Sequence, residues 1–200
     1  MIQSDKFDSS NMNIKKVAQS GLHFLINRLI EVFAISIFSI GILLLIALTS
    51  YSPDDPNFIF PENTQIKNLL GFQGSYISDF FFQSIGLISY LVSISLIFTG
   101  INIFISKDLF LLIENVFFIT LYSIFGSLFF SFFYKNAYAL YINGNGGFVG
   151  NYLEESLLYN LININVSISY YFLMTLNIVF FLISINLSLI HISEPTRQEA

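Results

Sequence analysis

The chain has no cysteine and no tryptophan, only 4 prolines in 200 residues, and few charges. Without cysteine there is no disulfide, no thiolate nucleophile and no cysteine-ligated metal, and the absence says nothing about compartment. Charged residues make up 10% of the chain, against about 25% in an ordinary soluble domain. A soluble fold of this size would have too little polar surface to stay dispersed. The net charge of −5 is small and scattered, so no basic face invites nucleic acid and no direct contact with it is expected. What fills the space is apolar: 54% of residues are hydrophobic, and the mean hydropathy is +0.71. The first stretch, to about residue 28, is mostly polar and basic. It does not read as a cleavable signal peptide, because the apolar run after it is too long and no small-x-small site follows.

Four stretches lack Asp, Glu, Lys and Arg: Val32 to Pro53, Phe80 to Ser106, Asn115 to Tyr134, and Ser156 to Ser193. A spanning helix needs about 20 mostly apolar residues, and each stretch supplies them. None alternates with the period-2 pattern of a lipid-facing strand. Backbone amides in lipid must be satisfied within the segment, which leaves helices. The expected fold is all-α: a polytopic membrane protein of four transmembrane helices, at about 28–50, 77–105, 109–133 and 166–186. Residues 1–27 form an N-terminal segment, with an amphipathic helix from Asn13 leading into the first span. Arg28 and Glu31 are three apart on that helix and can pair. Leu153, Leu157, Leu158 and Leu161 share one helical face, which predicts a short helix lying in the membrane surface.

Orientation follows from lysine and arginine. The N-terminal segment carries Lys6, Lys15, Lys16 and Arg28, and the Ser106-Lys107-Asp108 turn adds Lys107. The two longer loops carry one each, Lys67 and Lys135. Five against two places the N-terminus, and after four spans the C-terminus, in the cytoplasm. Tyr51, Tyr76, Tyr134, Tyr138, Tyr141, Tyr152 and Tyr159 fall at the outer helix ends or in the outer loops, where tyrosine forms an aromatic belt.

The segment Leu187 to Arg197 reads LSLIHISEPTR, which matches one reading frame of a transposase sequencing adapter residue for residue. Residues 187–200 are therefore expected to be adapter-derived, native sequence to be supported only to about Asn186, and His191 to carry no function.

The first span runs into Ser50-Tyr51-Ser52-Pro53-Asp54-Asp55-Pro56. A helix ending in such a run resembles the N-terminal membrane domain of FtsK/SpoIIIE-type DNA translocases. Asn68-Leu69-Leu70-Gly71, then Gly74 through Asp79 to Phe81, resemble two further loop segments of that family, with Ser78 in place of the usual alanine. Gly86 and Tyr90 fit its next helix, and Gly144-Asn145-Gly146-Gly147-Phe148-Val149-Gly150 resembles its "GGxxG" before the last span. The likeness covers about Leu29 to Asn186. Ser52, Pro53, Asp55, Pro56, Gly71, Gly74, Asp79, Gly146, Gly147 and Gly150 are the loop residues it singles out. Physics gives them structural work. Prolines stop the helix, Ser52, Asp54 and Asp55 favour turns and caps, Asp79 can meet the positive end of the second helix, and the glycines permit unusual backbone angles. Partner binding by the two outer loops is the sharper alternative.

The resemblance implies the membrane anchor of a hexameric septal DNA translocase, serving cell division and chromosome segregation from the bacterial inner membrane. It implies homo-oligomers and division-site protein partners, with the bilayer as solvent. ATP and Mg belong to a motor that this chain lacks: no G-x-x-x-x-G-K-[ST] occurs, so no catalytic, cofactor-binding or metal-ligating residue is assigned and no enzyme activity is expected. The lone His23 has no companion ligands. Glu114 is the one ionisable residue inside a span beyond its first turn, and its position near the cytoplasmic start of the third helix lets it snorkel. Asn115 can hydrogen-bond a neighbouring helix, and Gly41, Gly86, Gly100 and Gly126 are candidates for helix packing. A small transporter or channel subunit, or a stand-alone membrane assembly protein, are the alternatives.

Overall fold

The computed structural model describes residues 2–56, 65–135, 143–156 and 158–185, and of residues 2–18 it describes the backbone alone. All regular elements among the described residues are helices, with no strand. Helix α1 is Ile2–Thr49, α2 Gly71–Ile85, α3 Ser89–Ser106, α4 Phe110–Phe133, α5 Gly147–Glu154, α6 Leu158–Ile164 and α7 Val166–Ser184. Among the described residues, four segments are long and apolar enough to cross a membrane: Gln19–Thr49, Gly71–Ser106, Phe110–Phe133 and Val166–Ser184. The spans pack in chain order, α1 on α3, α3 on α4, and α4 on α7. The bundle thus has a turn end, at Lys107, and a loop end, where residues 50–70 and 134–165 connect the spans.

Three expectations about element boundaries change. Helix α1 is already formed at Ile2 rather than Asn13, and runs unbroken to Thr49 because nothing before Pro53 removes a backbone donor. The second span does not start at Ile77 and run continuously. Its helical path begins at Gly71, stops at Gly86 (φ +68°) and restarts through one 3-10 turn, Gly86–Ile88. Helix α3 alone, 18 residues at 1.5 Å each, crosses about 27 Å. The break lies level with the end of α1, since Tyr90 donates to the Leu48 carbonyl at 3.1 Å. It therefore belongs to the membrane boundary and not to the midplane. Third, the single surface helix expected over Leu153 to Leu161 is two helices, α5 and α6. Ser156 breaks it: its hydroxyl donates to the Leu153 carbonyl and accepts from the Leu158 amide. Leu153 and Leu158 still pack inward against Leu128, Ile162 and Leu173, whereas Leu161 is exposed. Leu157, Tyr138, Tyr141 and everything from Asn186 on, His191 included, lie outside the described residues.

The core is thin and partly polar. Leu44, Leu48, Phe82, Ile88, Val92 and Tyr122 form the main apolar cluster, and Ile30, Ala34, Ile37 and Ile103 a second one toward the turn end. Between α3, α4 and α7 runs a seam of buried hydroxyls and amides. Tyr122 donates to Ser95 at 3.0 Å, Ser95 meets Ser184 at 2.9 Å, and Asn115 donates to Thr99 at 3.0 Å. In lipid, where apolar burial does not drive helices together, such bonds and close backbone packing supply the association. Glycine supplies the packing: a β-carbon at Gly41 would lie 2.8 Å from Ile97, one at Gly100 2.6 Å from the Phe38 amide, and one at Gly126 2.4 Å from Ile88. These three glycines pack helices of the same chain. At the turn end Glu31 pairs with Arg28, as their spacing predicts, and also with Lys107 at 2.7 Å. Glu114 is exposed on the outside of α4.

Candidate functional site

The loop residues singled out from sequence gather in two clusters, one at each end of α2. The first forms where α1 stops. Ser52 opens a turn, its carbonyl accepting the Asp55 amide at 3.2 Å. That turn carries Asp55 inward until it is 2% exposed. Its two carboxylate oxygens accept the amides of Lys67 and Asn68, each at 2.8 Å. Asn68, itself buried, donates to the Ala47 carbonyl at 2.9 Å, one of the groups that the end of α1 leaves without a helical partner. Its side-chain oxygen accepts the Leu70 amide at 3.0 Å, and the Ser50 hydroxyl accepts the Leu69 amide at 3.1 Å. Four consecutive amides, 67 to 70, are therefore held by side chains. Gly74 lets this happen: a β-carbon there would come within 2.1 Å of the Asn68 side-chain oxygen. Pro56 is fully buried and its carbonyl accepts the Ser75 hydroxyl at 2.7 Å. Pro53 is half-buried, and Gly71 (φ +66°) turns the chain into α2 in open space.

Asp79 does not sit at the start of its helix. Because α2 begins at Gly71, Asp79 lies in its third turn, beyond reach of the N-terminal dipole. It is 4% exposed and accepts the Tyr51 hydroxyl at 3.2 Å, while the Tyr51 ring packs on Phe82 with centroids 4.8 Å apart. The carboxylate ties the end of α1 to the middle of α2.

The second cluster forms at the Gly86 break. The Asn145 carbonyl accepts the Leu87 amide at 2.9 Å, filling the gap that the break leaves in the helical ladder. The approach is so close that a β-carbon on Gly86 would lie 1.9 Å from that oxygen. Gly147 (φ +66°) returns the chain beside the backbone of Ser84 to Gly86. Gly146 and Gly150 lie on α4, where β-carbons would meet the Ser127 carbonyl at 2.4 and 2.3 Å. Ser127 is six residues before the end of α4, so the loop reaches about 9 Å below that end. Irregular backbone at such depth is tolerated only when buried in protein, and here the Asn145 carbonyl satisfies the Leu87 amide while the Ser127 hydroxyl satisfies the Ile85 carbonyl. Ser131 fastens α5 from the same face, its single hydroxyl hydrogen shared between the Asn151 side-chain oxygen at 2.8 Å and the Glu154 carboxylate at 2.7 Å. Lys135 pairs with Glu154 at 3.2 Å.

Helix α2 connects the clusters, lying against both α1 and α5, and Asn143 donates to its Gln83 carbonyl at 3.2 Å. The chemistry of both clusters is hydrogen-bond closure. Asp55, Asn68, Asp79 and Asn145 are buried in the protein, while the Glu154 carboxylate stands beside Lys135 at an open cleft lined also by Glu155, Ser156, Tyr159 and Asn160. What faces outward at this end is different: Leu69, Phe148, Tyr152, Tyr159 and the Asp54–Lys67 pair at 2.9 Å are exposed. Asp54 beside Lys67 raises its ammonium above the usual lysine pKa. Sequence reasoning missed Asn68, Asn145 and the serines as the residues that bind the motifs together. The signal for the serines was present, because Ser123, Ser127 and Ser131 recur every fourth residue on α4 and all three are buried.

A family model described as the 4TM region of DNA translocase FtsK/SpoIIIE matches residues 27–197. Among curated proteins, the chain is 35% identical over 82 residues to a DNA translocase FtsK of Rickettsia prowazekii, which is 40% of this chain and 11% of that protein. It is 33% identical over 82 residues to that of Rickettsia typhi, again 40% and 11% of the two chains. The match to Rickettsia bellii is 35% over 79 residues, 40% of this chain and 10% of the relative. The matched part spans about a tenth of the length of these relatives. No solved structure gives a significant match.

Proposed function

We propose, for a chain that belongs to the FtsK/SpoIIIE family of DNA translocases through their four-span membrane region, that it anchors such a translocase in the bacterial inner membrane at the division site. The observation that carries this reading is the family match across residues 27–197, laid over four membrane-crossing helices. The anchor contributes attachment and self-association. The ATP-driven motor that moves DNA, with its Mg, is the work of another part of the protein. Both termini lie in the cytoplasm, in keeping with five Lys and Arg at the N-terminus and turn against two in the loops. The loop end then faces the periplasm, where division proteins are its partners.

The two clusters fit an anchor. They seal the loops onto the bundle and leave the exposed side chains between them to touch partners. The test is a transplant. Residues 1–186, placed ahead of the motor of a translocase whose own membrane region has been deleted, are expected to restore septal localisation and chromosome clearance. A chimera that inserts in the membrane but stays evenly distributed around the cell would sink the reading. Orientation is tested separately. The absence of cysteine makes single replacements clean reporters. A membrane-impermeant maleimide added to intact cells is expected to label Leu69→Cys and to miss Asp108→Cys until the cells are opened; the reverse pattern would invert the topology.

A further inference from the structure

Helix α2 has its polarity reversed. Its buried residues are Gly74, Ser75, Ser78, Asp79 and Phe82, all but the last small or polar. Its most exposed apolar side chains are Phe72, Ile77 and Phe80, at 38%, 46% and 58% exposure. The helix carries one charged residue, Asp79, and that one is buried. A helix packed on a soluble core and facing water shows the opposite arrangement. The polar inner face is spent on the end of α1 and the turn after it: Ser75 donates to the Pro56 carbonyl, and Asp79 accepts from Tyr51.

The level of each end of α2 is set by α1. Helices α1 and α3 run antiparallel, with Gly41 against Ile97 and Gly100 against Phe38. The same register puts Tyr90 opposite Leu48, where their hydrogen bond forms. Gly86 then lies about one turn, about 6 Å, beyond Leu48. At the other end, a β-carbon on Gly74 would touch the Asn68 side chain, whose amide donates to the Ala47 carbonyl at 2.9 Å. Gly74 is thus held near the level of the last turn of α1. Gly74 and Gly86 are about 18 Å apart along the helix axis, at 1.5 Å per residue. An upright helix would spend all of that along the membrane normal, whereas α2 rises by about 6 Å, a slope of about 20° to the membrane plane.

We propose that α2 lies in the headgroup region of the leaflet at the loop end, its Phe72, Ile77 and Phe80 face against lipid, while α3 alone makes the second crossing. The bilayer is the occupant that level and composition select. Helix α2 sits at the rim of the 27 Å or so that the 18 residues of α3 cross, and its outward side has no charge that must stay in water. Tyr76 beside this face is the residue type that favours such a level. A second copy of the protein is poorly matched. The three side chains expose about 300 Å² between them, taking about 200 Å² for each in full, under half of the roughly 800 Å² that a stable partner covers. The placement holds whichever compartment the loop end faces.

The chain has no tryptophan, so single replacements report without background. Phe72→Trp, Ile77→Trp and Phe80→Trp, each made in the full chain and reconstituted in phosphatidylcholine vesicles, are read by quenching from lipids brominated at different depths along the acyl chain. Phe98→Trp, on an exposed position within α3, is the deep reference. The three α2 reporters are expected to be quenched most by bromines nearest the headgroup, and the depths of Phe72→Trp and Phe80→Trp to differ by about 4 Å. An upright α2 would separate those two by about 12 Å, and that spacing would overturn the proposal. Quenching by aqueous acrylamide with none from any brominated lipid would put the face in water and overturn it too. Protection from both quenchers would mean that protein, such as a second copy, covers the face, with the same consequence. All three positions are exposed, so the replacements leave the buried face of α2 untouched.

Discussion

Replacing Asp55 by alanine tests the first cluster most directly. The carboxylate is 2% exposed and accepts two backbone amides at 2.8 Å. A hydrogen bond to a charged group contributes about 1.5–3 kcal/mol, so the two together hold about 3–6 kcal/mol. Part of that returns on deletion, because the carboxylate no longer has to be desolvated and the freed amides, at the membrane boundary, recover water when the loop opens. A net cost of about 3 kcal/mol follows, equivalent to about 150-fold in the opening equilibrium of the loop. The loss is local. The main apolar cluster around Leu48 and Tyr122 and the hydroxyl seam do not involve Asp55. Hydrogen exchange in detergent micelles reads this out by segment. Peptides covering Lys67 to Leu70 are expected to exchange about 100-fold faster in D55A, while α4 keeps its protection. Asp55→Asn retains one acceptor and is expected to fall between, at about tenfold. Unchanged exchange at these amides would refute the reasoning, because it would mean that Asp55 does not hold the loop. Equal loss of protection in α4 would refute the claim that the cluster is local.

Three further expectations are checked by similar means. Gly86→Ala places a methyl 1.9 Å from the Asn145 carbonyl at a φ of +68°; it is expected to cost more than about 2 kcal/mol and to expose residues 143–150 to exchange and proteolysis, and an undisturbed loop would contradict the docking. A double-mutant cycle on Asn115→Ala and Thr99→Ala, followed by reversible unfolding in mixed micelles, is expected to give a coupling of about 0.6 kcal/mol, the usual size for hydrogen bonds between spans; zero coupling would remove that bond from the account. Lys67 has its pKa raised by Asp54, so whatever that pair contributes is fully present below the usual lysine range and is lost only as pH climbs through the raised value. The pair is solvent-exposed, so Lys67→Met is expected to leave the unfolding profile unchanged from about pH 6 to pH 9, and a clear shift within that window would show the pair to be more than a surface contact.

The charge-free runs made the spans legible, because a bilayer requires length and apolarity and both are countable along the chain. Pairing of Arg28 with Glu31 was legible too, since one helical turn fixes it. Gly144 and Gly147 take the positive φ that glycine suggests. Gly146 and Gly150 proved to be glycines for another reason, their contact with the Ser127 carbonyl, which no local rule predicts. Asp79 was misplaced for a related reason. Its distance from the start of α2 depends on where Asn68 and Asp55 let that helix begin, and those residues are fixed from across the loop.

The sequence by itself determined the solvent, the number of spans and the family, since each follows from residues close together in the chain. Tertiary structure alone decided that the second span breaks at Gly86, that Asn145 fills the break, and that Glu31 is shared between α1 and the turn at Lys107. The physical reason is the same in each case. A backbone amide or a charge at a membrane boundary must be satisfied, and the group that satisfies it comes from a segment as much as 76 residues away, as for Glu31 and Lys107.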